Sequence, residues 1–351
     1  MSLLKRLFSV GKKSLPNEWI ASFDTGIMAY GREDYITAYQ SFYKLAEVGH
    51  AISQMYVGVM YKSGQGVKKD YKKSFDWMKK SAKQGLLQAQ YNLAVMYDNG
   101  EGTQQDQSEA ANWYRKSAEQ GEVFAQYRLA CMLGQGVGIS KNTKEAAKYL
   151  RLAAEQGHDS AQYNLALLYS DGNGVKHNYA AAARWYKQAA EQGHINSQFN
   201  LGVCYRDGCG VKQNNQEAVR WWRKAAENGS KGAQYSLGAF YDTGKGVEQN
   251  YNEAAHWYRK AAVQGHSTAQ FYLGAMYKKG EGVPLDLKEA YAWFLVASAN
   301  GCDDATEQLD SLAYNMPTYQ LEPGKSLGKE YAKKYKKSLL QSPVALKPKN
   351  V

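Results

Sequence analysis

Histidine is the residue type in this sequence that is best suited to metal binding or acid–base chemistry. Four of its six histidines are separated by multiples of 36 residues: His50, His158, His194 and His266. One metal ion needs its ligands at about 2 Å, whereas equivalent positions in adjacent helical units lie on the order of 10 Å apart because packed helices are separated by about 8–10 Å. The spacing therefore excludes a shared metal. We expect each histidine to follow a helix C-terminus and to interact favourably with its dipole.

The other reactive residues show no arrangement typical of a catalytic site. The four cysteines, Cys131, Cys204, Cys209 and Cys302, are too few and too irregular for a disulfide framework, which is typical of a reducing compartment. Only Cys204 and Cys209 are close enough in sequence to pair. Because no Gly-x-Ser-x-Gly or His-Glu-x-x-His pattern is present, we predict no enzymatic activity, no metal and no cofactor.

Seven Gly-x-Gly segments could in principle form phosphate-binding loops. None follows a predicted strand or has the third glycine of a dinucleotide-binding fingerprint, so we interpret them as turns. The glycine pairs are 64/66, 100/102, 136/138, 172/174, 208/210, 244/246 and 280/282.

A second set of glycines recurs every 36 residues, from Gly49 to Gly301. A fixed period between about 20 and 50 residues indicates stacked supersecondary units that bury their apolar faces against their neighbours. Residues 50–301 contain seven copies of this unit. The sequence therefore predicts one elongated, all-α domain, an α/α superhelical solenoid of antiparallel helix pairs with degenerate repeats as caps.

Each copy contains two amphipathic segments. Gln90, Leu93 and Tyr97 lie at offsets 0, 3 and 7, which is the spacing of a helical core stripe, and Ala110 and Trp113 begin a second stripe. Every second helix is preceded by an Asp or Asn N-cap, and in five of the seven copies a Glu three residues later can complete a capping box. The period glycine is predicted to end this helix in a left-handed conformation. The N-caps are Asp70, Asp106, Asn142, Asn178, Asn214, Asn250 and Asp286.

The complete pattern, Leu-Gly-x-x-Tyr, Gly-x-Gly-Val and Ala-x-x-Trp-Tyr, resembles the Sel-one-like repeat (SLR) family, which is related to the tetratricopeptide (TPR) repeat. The resemblance covers residues 50–301 and implies a superhelix that binds other proteins without catalysis. Its residues in one copy are Leu201, Gly202, Tyr205, Gly208, Gly210, Val211, Ala218, Trp221, Trp222, Ala225, Ala226 and Gly229.

Both ends of the sequence depart from the repeat. Residues 16–49 resemble a degenerate first repeat that acts as a cap, and residues 1–15 form a basic amphipathic segment. Residues 302–341 are expected to form capping helices. There Pro317 and Pro323 break the chain, Ser326 to Gln341 forms a closing helix, and residues 342–351 form a flexible basic tail.

The formal charge of +11 belongs to the ends, because residues 1–13 contribute +4, residues 325–351 contribute +7, and the rest is neutral. The repeats therefore need no polyanion, which argues against nucleic acid. No signal peptide or transmembrane helix is predicted. We expect a monomeric, cytoplasmic protein that could contact anionic membrane through its Lys-rich C-terminus and four N-terminal cations: Lys5, Arg6, Lys12 and Lys13.

The recurring glutamines, such as Gln90, lie on the core stripe, and we interpret them as a structural hydrogen bond between repeats. In related solenoids the first helices line the concave groove. The aromatic column there could contact a peptide or could instead pack between repeats, which would leave only the Asn and Arg column exposed. The hypothetical site centres on repeats two to five, of which the third is the least typical. Its residues are Tyr91, Asn92, Phe124, Tyr127, Arg128, Tyr163, Asn164, Phe199 and Asn200.

Three functions are compatible with this pattern. The first is a non-enzymatic scaffold or adaptor that binds a partner protein or peptide through the groove. The second is an adaptor tethered to a membrane or nucleic-acid surface by the basic termini. The third is an inhibitor or immunity protein that masks one enzyme.

Overall fold

A computed structural model describes residues 16–335, and every regular element in this range is an α-helix. Repeats one to seven each contribute two helices, α3 to α16, which are preceded by the pair α1 and α2 and followed by α17 and α18. The helices are α1 (Asn17–Gly31), α2 (Tyr35–Glu47), α3 (Ala51–Ser63), α4 (Tyr71–Lys83), α5 (Leu87–Asn99), α6 (Gln107–Glu119), α7 (Val123–Gln135), α8 (Thr143–Glu155), α9 (Asp159–Asp171), α10 (Tyr179–Glu191), α11 (Ile195–Asp207), α12 (Asn215–Glu227), α13 (Lys231–Thr243), α14 (Tyr251–Val263), α15 (Ser267–Lys279), α16 (Leu287–Ala299), α17 (Asp303–Asn315) and α18 (Thr318–Lys334).

The contacts divide the chain into two compact units. Among the described residues, the first unit comprises 16–161 together with 173–175, and the second comprises 162–172 and 176–335. Within each unit, the first helix of a repeat packs against its second helix, which in turn packs against the first helix of the next repeat. The predicted all-α helical-repeat solenoid is therefore confirmed.

The predicted ends of the second helices are also confirmed. Asp70 Oδ1, for example, accepts a hydrogen bond from Lys73 N at 2.9 Å, and the other six predicted caps make the same contact. The period glycines have positive φ, such as 95° at Gly121. Three of the five capping-box glutamates act differently from the expectation, because each accepts from a tryptophan; Glu109 Oε2 accepts from Trp113 Nε1 at 3.1 Å. The same contact recurs twice, at Glu253 and Glu289.

The Gly-x-Gly segments are turns, as predicted, and their two glycines have different roles. The first glycine is the left-handed C-cap of the first helix, as at Gly100 with φ 72°. The second passes close to the previous repeat, since a Cβ on Gly102 would overlap the backbone carbonyl of Tyr71. Steric exclusion and backbone conformation together require glycine there.

The glutamine column forms the predicted hydrogen-bond ladder. Gln90 Nε2 donates to Ala82 O at 3.3 Å, and Gln90 Oε1 accepts from Gln120 Nε2 at 2.7 Å. Because Ala82 belongs to the preceding repeat, Gln90 ties two repeats together. The same donation is made by Gln54, Gln126, Gln198, Gln234 and Gln270. The ladder is interrupted once. The amide of Asn228 donates to Lys224 O in its own helix, which leaves Gln198 Oε1 buried without a hydrogen-bond partner.

The four equivalent histidines correct an expectation. They do not simply follow a helix C-terminus, because each is the N-cap of the next first helix and accepts a backbone hydrogen bond through its side chain. His158 Nδ1, for example, accepts from Ala161 N at 3.2 Å. The sequence could not distinguish these roles, since the connection between the two helices is only three residues long and its last residue lies near both. The other three contacts are His50 to Ser53 N, His194 to Ser197 N and His266 to Ala269 N.

The C-terminal helix also differs from its prediction. It begins at Thr318 rather than Ser326, and Pro323 lies inside it instead of breaking the chain. Two buried glycines, Gly324 and Gly328, allow α18 to pack closely on α16, because a Cβ on Gly328 would lie 3.2 Å from Ala292 Cα. The remaining residues of the predicted closing helix, 336–341, lie outside the described range.

Candidate protein-binding surface

The nine residues of the hypothetical site lie on four first helices, two in each unit. In the first unit, Tyr91 and Asn92 lie on α5, and Phe124, Tyr127 and Arg128 lie on α7. In the second unit they lie on α9 and α11: Tyr163, Asn164, Phe199 and Asn200. Because the units are separate bodies, we describe two surfaces.

The aromatic column of the first unit contributes to packing between repeats. Tyr127 stacks on His158, with ring centroids 4.5 Å apart and an interplanar angle of 22°. Tyr91 packs against Tyr114 of the second helix at 5.9 Å. Both site tyrosines are half-buried, so each is a structural contact with only part of its ring available to a partner.

The second unit has the same arrangement. The Tyr163 ring lies 4.7 Å from His194 and 6.0 Å from Tyr186. Burial raises the pKa of the Tyr163 hydroxyl, and a hydrogen bond with Asn200 partly opposes that rise. Phe199 is covered by the next repeat, since a Cβ on Gly232 would lie 3.3 Å from its ring. These aromatic side chains, and Asn200, are therefore engaged within the fold.

Phe124 differs from the rest of the aromatic residues at the site. Its side chain is 52% exposed, and the equivalent positions Gln88 and Ser160 are polar. The ring packs against Tyr91, with ring centroids 6.3 Å apart, and against His158, in an edge contact with centroids 5.4 Å apart. It is therefore an exposed aromatic surface on a rigid base.

Arg128 is positioned by a neighbour that sequence analysis did not identify. Its Nη2 forms an ion pair with Asp98 Oδ2, which also accepts a hydrogen bond from the Tyr114 hydroxyl at 3.3 Å. The Asp98 side chain is 11% exposed and the Arg128 side chain 47%. The guanidinium therefore presents an exposed edge beside Phe124 in a fixed orientation. The available sequence signal was the 30-residue separation of two opposite charges.

Glu122 is a second residue missed by the sequence analysis. It occupies the N-cap position of α7, where its carboxylate accepts from Ala125 N at 2.6 Å. Burial raises its pKa, and the backbone hydrogen bonds to Ala125 and Phe124 partly oppose the rise. Burial also raises the pKa of the Cys131 thiol on the same helix. Repeat three thus combines an uncommon cap, an exposed aromatic residue and a fixed cation.

The described part of the chain contains no group of three or more histidine, cysteine or acidic side chains that could hold a metal ion. All four cysteines are free thiols. None of the described helices is both long and apolar enough to cross a bilayer. The N-terminal cations of the suggested membrane contact lie outside the described residues, as does the end of the C-terminal tail.

A scan against protein-family models confirms the resemblance seen in the sequence. The chain belongs to the Sel1 repeat family, and proteins of this family are generally scaffolds for protein interaction without enzymatic activity. The model matches seven consecutive segments: 51–86, 87–122, 123–158, 159–194, 195–230, 232–266 and 267–302.

Solved structures of related proteins support the same assignment. A Sel1 repeat protein from Oxalobacter formigenes is 31% identical, with a TM-score of 0.64, and covers 89% of this chain and 90% of its own. The protective antigen c5321 from uropathogenic Escherichia coli, which has an SLR fold, is 27% identical with a TM-score of 0.54 and 99% coverage of both chains. No curated protein matches the sequence.

Proposed function

We propose that this protein is a non-catalytic adaptor that binds a partner protein through the exposed faces of α5 and α7 in its first unit. The observation that carries the proposal is that Phe124 is exposed while its ring packs against Tyr91 and His158. Protein interfaces are enriched in aromatic and arginine side chains because these supply large contact areas from few rotatable bonds. Family membership supports binding in general, and Phe124 supports this position.

Polar groups beside Phe124 would orient the partner. The half-buried Asn92 amide can donate to a carbonyl and accept from an N–H group of a bound peptide. Arg128 can use guanidinium N–H groups that the ion pair with Asp98 does not occupy. The proposed contact is thus an apolar side chain against Phe124 and hydrogen bonds on one flank, which both an extended peptide and a helix can provide.

In the second unit, the predicted contribution of Asn164 remains part of the proposal as a separate surface. Asn200 already interacts with Tyr163, and its substitution would therefore alter packing as well as recognition. A binding test that uses Asn164→Ala alone is easier to interpret than the double variant with Asn200→Ala.

The test is affinity capture from a host lysate with three versions of the full chain: wild type, Phe124→Ser and Tyr71→Ser. Tyr71 is a suitable control because it is an aromatic residue of the same unit, 41% exposed, on a second helix. We expect one protein to be retained by wild type and Tyr71→Ser and to be lost with Phe124→Ser. Circular dichroism must show equal helicity in all three.

Equal retention by Phe124→Ser and wild type would refute this position of the site. An additional Arg128→Lys variant separates general attraction from orientation, because lysine keeps the charge but lacks the planar donor fork. If Arg128 orients the partner, we expect this variant to bind about tenfold more weakly, by the loss of a charge-assisted hydrogen bond.

A further inference from the structure

The C-terminal helix of this protein shows what one surface position of the repeat can bind. Tyr331 of α18 packs against Trp293 of α16, with ring centroids 4.9 Å apart. Its hydroxyl donates to Glu289 Oε1 at 3.1 Å, while Glu289 Oε2 accepts from Trp293 Nε1, also at 3.1 Å. The indole thus provides a packing surface and also fixes the carboxylate that binds the phenol.

The same group of residues occurs one repeat earlier, within the same unit. Trp257 Nε1 donates to Glu253 Oε2 at 3.1 Å, and Arg223 donates to the Tyr241 hydroxyl. In the last repeat, Arg259 donates to Tyr277 in the same way. The two sets are Arg223, Tyr241, Glu253 and Trp257 in the earlier repeat, and Arg259, Tyr277, Glu289 and Trp293 in the last repeat.

In the earlier repeat these residues line an open surface cleft of about 720 Å³. Glu253 is exposed there, whereas Glu289 is partly covered. No described helix packs on α14 as α18 packs on α16. The cleft therefore has the groups that hold Tyr331 in the last repeat, but no described helix fills it, and the Lys260 ammonium lies over the Trp257 ring where the last repeat has Val296.

Two further acidic residues distinguish the open cleft. Glu227 and Glu248 line it, and their equivalents in the last repeat are Val263 and Pro284. With Glu253, the cleft has three carboxylates against two cations, namely Arg223, which is already bonded to Tyr241, and Lys260 on the Trp257 ring. This charge favours an occupant with cationic groups beside its aromatic ring.

We propose that this cleft binds a tyrosine side chain of a partner protein at a position flanked by lysine or arginine. The phenol packs on Trp257 and donates to Glu253 Oε1, while the flanking cations lie near Glu227 and Glu248. The ammonium of Lys260, now 4.6 Å from the Trp257 ring centroid, moves aside when the ring binds. This site lies in the second unit and is independent of the Phe124 surface.

The test uses a fluorescent peptide with the sequence of residues 328–334, Gly-Lys-Glu-Tyr-Ala-Lys-Lys, titrated with the full chain and followed by anisotropy. The control peptide carries Phe in place of Tyr. The protein variants are Glu253→Gln, which keeps an acceptor for the indole but removes the charge, and Glu217→Gln. Glu217 is the equivalent of Glu253 one repeat earlier. The equivalent of Arg223 there is Lys187, which pairs with Glu191.

We expect wild type and Glu217→Gln to bind the tyrosine peptide equally. Both the Phe peptide and Glu253→Gln should reduce affinity by at least about tenfold, the effect of one hydrogen bond to a charged group. No binding by wild type, or equal affinity for the Tyr and Phe peptides, would overturn the proposal. So would self-association that competes with the peptide and is lost in Tyr331→Phe, because the occupant would then be the α18 helix of a second copy.

Discussion

The interrupted glutamine ladder gives a quantitative test of how the repeats are held together. Five other second helices of the ladder end in a glutamine whose amide donates to the buried glutamine 30 residues earlier at 2.7–2.9 Å. A sixth second helix ends in Asn300, whose amide donates to Gln270 Oε1 at 2.9 Å, whereas the amide of Asn228 bonds within its own helix at 2.9 Å. Asn228→Gln should supply the missing donor to Gln198 Oε1, which is in a side chain only 4% exposed.

The expected gain in stability is the balance of two favourable and two unfavourable contributions. A buried acceptor without a donor costs about 1–3 kcal/mol, and a typical hydrogen bond contributes about 0.5–1.5 kcal/mol. Ordering a glutamine side chain costs up to about 1.5–2 kcal/mol, and the hydrogen bond from Asn228 to Lys224 is lost. We therefore expect Asn228→Gln to raise the free energy of unfolding by about 1 kcal/mol.

Urea unfolding followed by circular dichroism measures this change, provided that the slope of the unfolding free energy against urea concentration is the same in wild type and variants. Two controls make the result specific. Asn228→Ala should change the unfolding free energy by less than about 0.5 kcal/mol, because Gln198 already lacks a donor. Gln264→Ala should lower it by about 1–3 kcal/mol, because it leaves the buried Gln234 Oε1 without its donor. If Asn228→Gln is neutral while Gln264→Ala destabilises, our account of the ladder is wrong.

Three further predictions concern the loops, the caps and the C-terminal helix. Gly102→Ala should destabilise by about 2–4 kcal/mol, through positive φ and a backbone overlap, whereas Gly121→Ala, with open space around it, should cost about 1–2 kcal/mol in the same urea titration. Burial lowers the pKa of His158, so its neutral cap stabilises the fold fully above about pH 6.5 and less as the pH falls below that value. The His158→Asn variant should therefore show a smaller loss of stability on acidification, and an unchanged pH slope would contradict this role. Tyr331→Phe removes the hydrogen bond to Glu289 and should lower the unfolding free energy by about 1–2 kcal/mol, with protease cleavage near the C-terminus as a second measurement.

The repeat architecture was predictable because its signals are local. An Asp or Asn cap is satisfied by a backbone N–H two or three residues away, and a left-handed glycine requires only its own backbone conformation. For this reason the starts of the second helices and the turn positions were predicted correctly. The ladder of glutamines was also predictable in outline, since a polar residue on an apolar stripe must find a partner.

The C-terminal helix shows a limit of the same approach. Pro323 suggested a break, but the helix tolerates it because the packing of Gly324 and Gly328 on α16 compensates for one lost backbone bond. A signal was present in α16, whose outer face carries Tyr291, Ala292 and Leu295 in place of polar or smaller residues of the preceding repeat. A helix that is apolar all round must be covered.

The candidate surfaces depended on contacts that the repeat pattern does not encode. The sequence placed Phe124 and Arg128 on a first helix, but only the structure showed that one is exposed on packed rings and the other is paired with Asp98. It also showed that Tyr127 and Tyr163 are engaged by cap histidines. The sequence by itself determined the family, the helix pairs and their boundaries, because those follow from short-range backbone chemistry. Which side chains remain available to a partner was decided by tertiary structure, because exposure depends on residues about 30 positions apart that meet only when repeats stack.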